Sequence, residues 1–435
     1  MLRGRAVTMG GMLEKLQMEF VGPAASMELL FADRLNLLTG DNGLGKSFVL
    51  DAAWWALSRT WAGEPAWPQP GHRKQAKISY TVQGKARSSE QTAIFDTQEW
   101  GWKLHQGRKA NPGLVLYARV DGGFGVWDPA RNYWKEETTS KAQAEGFVPS
   151  YLFSKETLWN GLALGETVLC NGLLRDWVSW QQREDSPEFR TLCSVLEVLS
   201  PGEGEVLKPG PPVRLTPQDA RDIPTLELPY GIVPLPHASA GARRILALSY
   251  LLVWTWHEHL RSAELRDEPP TERIVLLMDE LEAHLHPQWQ RLVLPALLRV
   301  VKELRSSATV QMIAATHAPL MLASIETDFD PAHDALFTFD LTTNGTGRTV
   351  HVERAEWRPR GDVSSWLVSD VFDLKAARSL EAERALETAK AALRAPNLPI
   401  EEVKRIHHDL HRVLKDTDPF WPRWEMRAKA AGIEP

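Results

Sequence analysis

The spacing of apolar side chains changes several times along this chain, and each change marks an element. Residues 13–21 (LEKLQMEFV) and 28–33 carry the two-residue rhythm of strands and are joined through Gly22-Pro23. Arg34-Leu35-Asn36-Leu37-Leu38 predicts a third strand, and 48–57 predicts a helix. Residues 61–70 are rich in Pro and Trp and break the pattern. Strand rhythm returns within 76–135, at 78–82, 92–95, 114–120 and 124–127, with Asp121-Gly122-Gly123 as a hairpin signal. This predicts one antiparallel sheet inserted after the first helix. Residues 155–200 read as helical, with Leu173, Leu174, Trp177 and Trp180 at helical spacing, and 201–224 as a Pro/Gly-rich connection. A long helix is expected over 238–263. Buried strands follow at 273–278 and 310–315, with a helix over 287–303 between them. A hairpin over 336–352 turns at Asn344-Gly345. Two amphipathic helices close the chain, at 379–394 and 399–414. Pro399 is expected as the first helical residue of the second, with Glu401 and Glu402 near the positive end of its dipole.

Between the third strand and the first helix stands GDNGLGKS, Gly40 to Ser47, which fits the phosphate-loop pattern G-x-x-x-x-G-K-[ST] without mismatch. Gly40, Gly43 and Gly45 let the backbone turn tightly and bring N–H groups onto a phosphate chain. Lys46 is a point charge for the β- and γ-phosphates, and the Ser47 hydroxyl is a candidate Mg²⁺ ligand. The following helix sets its positive end at the same place. Gly40, Asn42, Gly43, Gly45, Lys46 and Ser47 are therefore the candidate nucleotide contacts.

Three further signals lie downstream. Ile274-Val-Leu-Leu-Met-Asp279-Glu280 is a buried strand ending in two acids. Asp279 is a candidate Mg²⁺ ligand and Glu280 a candidate base for the attacking water. Thr316-His317-Ala-Pro follows the strand at 310–315, which makes His317 a candidate γ-phosphate contact. Ala238-Ser239-Ala240-Gly241-Ala242 opens the long helix with small residues and a hydroxyl.

Taken together, these motifs resemble those of an ABC-type ATPase head of the SMC/Rad50/RecF lineage, and within it the prokaryotic AAA-21-like ATPases of antiphage and retron-type defence systems. GDNGLGKS resembles Walker A, Leu276 to Gln290 (LLMDELEAHLHPQWQ) resembles an extended Walker B, and Ala315 to Leu322 (ATHAPLML) resembles a switch-histidine motif. The resemblance implies an α/β P-loop head with a mixed core sheet, an inserted antiparallel β-sheet, a helical region and a C-terminal helical tail. It implies ATP and Mg²⁺ as cofactors and a homodimer or higher homo-oligomer built through an ATP sandwich. In that arrangement Ser239 and Gly241 reach the nucleotide held by the other subunit's Lys46. One departure stands out: Ala240 and Ala242 replace a Gly and the Gln of an LSGGQ-type signature. The expected layout is a leader at 1–11, an ATPase core at 12–60 and 225–355, a β insert at 61–150, a helical insert and linker at 151–224, and a helical tail at 356–435.

Composition narrows the classes. The 435 residues allow two or three domain-sized units, and 43% apolar with 24% charged residues is ordinary for a globular chain. A net charge of −6 argues against a general polyanion binder. Two cysteines, Cys170 and Cys193, with no metal-type spacing, point to a reducing cytoplasm. The most apolar stretch, 245–256, is about 12 residues against the roughly 20 that a bilayer span needs, and Arg3 and Arg5 precede no apolar signal-peptide core. No membrane association is expected. His284 with His286, and His407 with His408 and His411, lack the three or four convergent ligands of a zinc site. The first pair is expected to shape a loop facing the dimer partner, and His407 and His411 to lie on a solvated helix face. Lys74, Lys77, Lys85, Arg87, Lys103, Arg108 and Lys109 make the β insert locally basic and a candidate nucleic-acid surface. Two functional expectations result. One is a switch ATPase controlling a separate effector such as a nuclease, with the tail (Trp421 and Trp424 included) as a docking element. The other is a RecF- or Rad50-like DNA repair ATPase.

Overall fold

The structure, a computed structural model, describes residues 12–84, 88–104, 111–132, 148–202, 204–344, 347–395 and 398–433. The chain forms two compact units, the first ending at Pro359 and the second beginning at Arg360.

The first unit is α/β. Its centre is an eight-stranded mixed sheet in which the parallel strands are β3 (Leu35–Gly40), β7 (Leu114–Ala118), β15 (Arg273–Asp279), β16 (Thr309–Ala315) and β17 (Asp334–Asn344). They stand in the order β17-β3-β16-β15-β7. Antiparallel strands β18 (Gly347–Ala355), β8 (Phe124–Trp127) and β9 (Tyr151–Phe153) close the edges. Buried on both faces, β7 and β15 are nearly all apolar, as parallel strands covered on two sides must be. Register brings Asp279 level with Ala315 and Ala315 level with Leu38, so the strands end flush along one edge. That edge is where open α/β sheets bind ligands.

A second sheet is antiparallel, in the order β2-β1-β4-β5-β6: β1 (Leu13–Val21), β2 (Ala24–Leu30), β4 (Lys77–Gln83), β5 (Ser88–Asp96) and β6 (Gly101–Leu104). Helix α1 (Lys46–Ser58) shares one apolar core with both sheets, through Trp54 and Trp55, Met18 and Tyr80, and Val275, Leu277 and Ile313. A helix enclosed on nearly all sides reads as apolar all round, which is what FVLDAAWWAL is.

Four expectations change here. The single antiparallel sheet expected over 76–135 divides: β4–β6 extend the β1–β2 pair, whereas β7 and β8 enter the central sheet. The helical reading of 155–200 is interrupted. Helices α3 (Lys155–Asn160), α4 (Leu173–Gln182) and α5 (Pro187–Val198) form, but β10 (Leu162–Leu164) and β11 (Thr167–Cys170) make a hairpin between the first two. The short α2 (Pro129–Asn132) precedes them. Within the expected connection, β12 (Lys208–Val213) pairs with β13 (Ile223–Leu228), which pairs with β14 (Gly231–Pro234). The long helix is α6 (Ala240–Leu265), and the helix expected over 287–303 is broken into α7 (Pro287–Gln290) and α8 (Val293–Leu304). The closing hairpin pairs Asn344 with Gly347, while Gly345 lies outside the described residues.

The second unit has a short helix, α10 (Val363–Leu367), and three longer ones, α11 (Leu380–Arg394), α12 (Ile400–Val413) and α13 (Trp421–Ala430). Helix α9 (Pro319–Ser324) lies in the first unit, after β16. Pro399 is the residue before α12 rather than its first. Trp421 and Trp424 are buried in this unit's own core with Leu386, Ile406 and Leu410, so neither indole is a surface anchor. His407 is not simply solvated: its Nδ1 accepts from the Trp424 indole at 3.2 Å.

Candidate functional site

The loop from Gly40 to Gly45 is shaped by backbone that only glycine adopts without strain. Gly40 has φ +133 and lies against β17, where a Cβ would collide with the Phe339 carbonyl oxygen. Gly45 has φ +99, and a Cβ there would come within 2.6 Å of Pro23 Cγ. Gly45 is also the residue before α1, and no side chain caps that helix. The N–H groups of its first turn are thus left to a ligand. Asn42 and Gly43 are exposed at the loop's tip.

Lys46 is only 4% exposed and donates from Nζ to the carbonyls of Gly40 at 2.8 Å and Asp41 at 2.9 Å. Burial pulls its pKa below the ordinary lysine value, against the opposing field of Glu280, Asp279, Asp41 and Glu282. A buried cation held by carbonyls of its own loop is placed to exchange them for phosphate oxygens.

Ser47 Oγ lies 3.0 Å from Asp279 Oδ1, joining residues 232 positions apart. Burial pushes the Asp279 carboxyl up to about 6. The Ser47 hydrogen bond opposes this, and the neighbouring charges of Glu280, Asp51 and Glu282 add to it. Asp51, one turn beyond Ser47, accepts from the Tyr117 hydroxyl at 2.9 Å and is itself raised by burial. A hydroxyl and a desolvated carboxylate set side by side are the donor set of a hard divalent cation, so Ser47 and Asp279 fit Mg²⁺.

Glu280 leaves the end of β15 with φ +44, a left-handed conformation costly for a residue with a Cβ. Its amide donates to Ala315 O at 3.0 Å, which fixes the turn to the neighbouring strand. Its Oε1 is 3.4 Å from His317 Nδ1. Glu280, His317, Asp279 and Ser47 thus form one constellation.

Ser239 and Gly241 stand at the start of α6. Ser239 caps α6, its hydroxyl accepting from Ala242 N at 3.2 Å. Gly241 packs against the loop after β15, where a Cβ would sit 2.9 Å from His284 O. His286 caps α7 through Nδ1, which gives it a local structural task.

Four residues that bond to or lie beside this constellation had no assigned role in the sequence: Asp51, Tyr117, Arg244 and Glu282. Arg244 donates to the carbonyls of Arg119, Val120, Asp279 and Glu280, tying α6 to the ends of β7 and β15. Glu282 is 3% exposed and accepts from the Thr316 hydroxyl at 2.6 Å and His317 N at 3.1 Å. A second acid two residues after Glu280, in a stretch that folds inward, was the available signal.

Of the basic residues, Lys77 is paired with Glu19, and Lys103 with Asp96 and Glu99. Lys74 is exposed, and Lys85, Arg87, Arg108 and Lys109 lie outside the described residues. Among the described residues no group of three or more His, Cys, Asp or Glu could hold a metal alone, and no helix is long and apolar enough to cross a membrane.

Residues 230–322 match the family model described as an AAA ATPase domain. A stretch of 100 residues is 28% identical to the retron Ec83 probable ATPase of Escherichia coli, and covers 23% of this chain and 15% of that protein. Among solved structures, the SMC head domain from Thermotoga maritima matches 79% of this chain and 99% of its own at 16% identity, with a TM-score of 0.40. The recombination mediator protein RecF of the RecFOR pathway matches 75% of this chain and 95% of its own at 12% identity, with a TM-score of 0.35. With scores this low, neither likeness bears on function.

Proposed function

We propose that the chain binds ATP at Gly40 to Ser47, hydrolyses it with Glu280 as base, and uses the cycle as a switch over a separate effector such as a nuclease in antiphage defence. The observation that carries the chemistry is the 3.0 Å contact between Ser47 and Asp279, with Glu280 and His317 beside it. The α1 N-terminus and Lys46 hold the phosphates. Ser47 and Asp279 would hold Mg²⁺, which would supply charge neutralisation to the phosphate oxygens. Glu280 accepts a proton from water as its oxygen attacks the γ-phosphorus and the bond to the ADP oxygen breaks. His317 donates to the γ-phosphate. Ser239 and Gly241 act in trans, on the nucleotide of a second copy.

The ATPase reading is supported by the family match over 230–322, and the defence-switch reading only by the similarity to a retron ATPase. Its test is to purify Glu280→Gln, co-expressed with its flanking genes, in the presence of ATP and to identify what stays bound. A stoichiometric effector protein is expected; a bare dimer that carries no protein partner overturns the effector reading.

One observation favours a second reading, a DNA-binding repair-type ATPase. Trp67 and Trp100 are 52% and 54% exposed, and Arg73 lies 5.1 Å over the Trp100 ring, a group suited to stacking bases. ATP-dependent, salt-sensitive DNA binding by the wild type would favour it.

A further inference from the structure

Glu282 is more deeply buried than Glu280, the base, or His317, the γ-phosphate contact. It is 3% exposed, whereas the Glu280 side chain is 23% exposed and that of His317 44%. Its Oε1 accepts two bonds from the segment after β16, the Thr316 hydroxyl at 2.6 Å and the His317 amide at 3.1 Å. Its Oε2 is buried and has no partner. A buried carboxylate oxygen without a donor is costly. The same carboxylate faces the imidazole through its other oxygen: His317 Nδ1 is 3.9 Å from Glu282 Oε1 and 3.4 Å from Glu280 Oε1. The imidazole therefore turns one nitrogen toward two carboxylates and leaves Nε2 on the far side of the ring.

We infer that Glu282 is a positioning residue that anchors the Thr316-His317 turn and offers His317 Nδ1–H an acceptor other than Glu280. This rests on the reading that Glu280 is the base. With Nδ1–H on Glu280, that carboxylate is occupied. A small ring rotation moves the bond to Glu282, frees Glu280 for water and fixes the ring so that Nε2 meets the γ-phosphate. A carboxylate behind an imidazole sets the orientation of the ring. The two bonds that Oε1 accepts, from the Thr316 hydroxyl and the His317 amide, hold the turn in place while the ring moves.

Glu282→Gln tests this. An amide oxygen can still take both Oε1 bonds, so the anchor survives while the charge and the spare acceptor are lost. Steady-state ATP hydrolysis is expected to show kcat about 10-fold lower with KM changed less than about 2-fold. In a His317→Ala background the same substitution should add nothing, because its effect runs through His317. An unchanged kcat overturns the inference, and so does a full multiplicative loss in that background, which would mark a purely structural role. If Glu282→Gln fails to fold, Thr316→Val removes the hydroxyl that holds Oε1. It should lower kcat at constant KM, again only when His317 is present; an equal loss without His317 overturns the inference. Glu280→Gln is measured in parallel. If its turnover equals wild type, the base assignment itself has failed; if it is slow while Glu282→Gln is normal, only the role of Glu282 has.

Discussion

Two helix N-termini in the first unit look alike on paper and differ in the structure. Both α1 and α6 begin with small residues beside a hydroxyl, and both are expected at phosphates. At α1 the preceding residue is Gly45 in a left-handed conformation, and no side chain caps the helix. At α6 the preceding residue is Ser239, whose hydroxyl is already bonded to Ala242 N. The first terminus is open by construction and has a buried lysine and a carboxylate beside it. The second is satisfied by its own side chain, so any phosphate it meets must use the remaining N–H groups and the Ser239 hydroxyl proton. Openness at a helix start, rather than glycine content, distinguishes a primary nucleotide cradle from an accessory contact.

The comparison can be broken most sharply at Lys46. Lys46→Ala should abolish measurable ATP binding in titration calorimetry; affinity like that of the wild type would remove the α1 terminus as the cradle. At the other terminus, Ser239→Arg should leave ATP binding intact and prevent ATP-dependent dimerisation. A normal ATP-bound dimer in light scattering would reject the contact in trans.

A smaller effect separates function from stability at Asp279. Its folded pKa lies above the unfolded value, so the folded state keeps a proton that the unfolded chain releases. The Asp279 contribution to stability is then most favourable at low pH and falls as pH rises from about 4 through about 6, leaving its full penalty at pH 7. Asp279→Asn should therefore raise stability at pH 7 by roughly 2–3 kcal/mol while losing Mg²⁺-dependent turnover. Denaturant titrations showing equal or lower stability would contradict the burial argument. The smallest effect is expected from Ser239→Ala, a loss of about 1 kcal/mol for a missing cap with nucleotide affinity unchanged. A loss of ATP affinity in the isolated subunit would show that α6 reaches its own nucleotide.

Much of the site was legible because its elements are local. The octapeptide, the strand ending in Asp279-Glu280 and the Thr316-His317 turn are each short. The strand before the loop and the helix after it form where expected, whereas the strand expected at 28–33 forms at Ala24–Leu30. Sheet membership was less legible. Strand rhythm says that 114–118 is extended but not which sheet it joins. The usable difference was that LVLYA is continuously apolar and KISYTVQ alternates, which separates a strand covered on both faces from one covered on one. The pairing of β12 was hidden by its own residues: KPGPPV supplies few N–H donors and survives only at the edge of its sheet. Arg244 and Glu282 were obscured for another reason. Their partners include Arg119, 125 residues away from Arg244, and Thr316, 34 residues away from Glu282, so no local spacing announces them.

The most direct test of the central claim is to measure ATP affinity and single-turnover hydrolysis for the wild type and Glu280→Gln side by side. The account predicts similar affinity and hydrolysis at least ~100-fold slower in the variant, the scale of losing a water-activating group. Hydrolysis at the wild-type rate would take Glu280 out of the chemistry and leave this site a nucleotide binder with a different base.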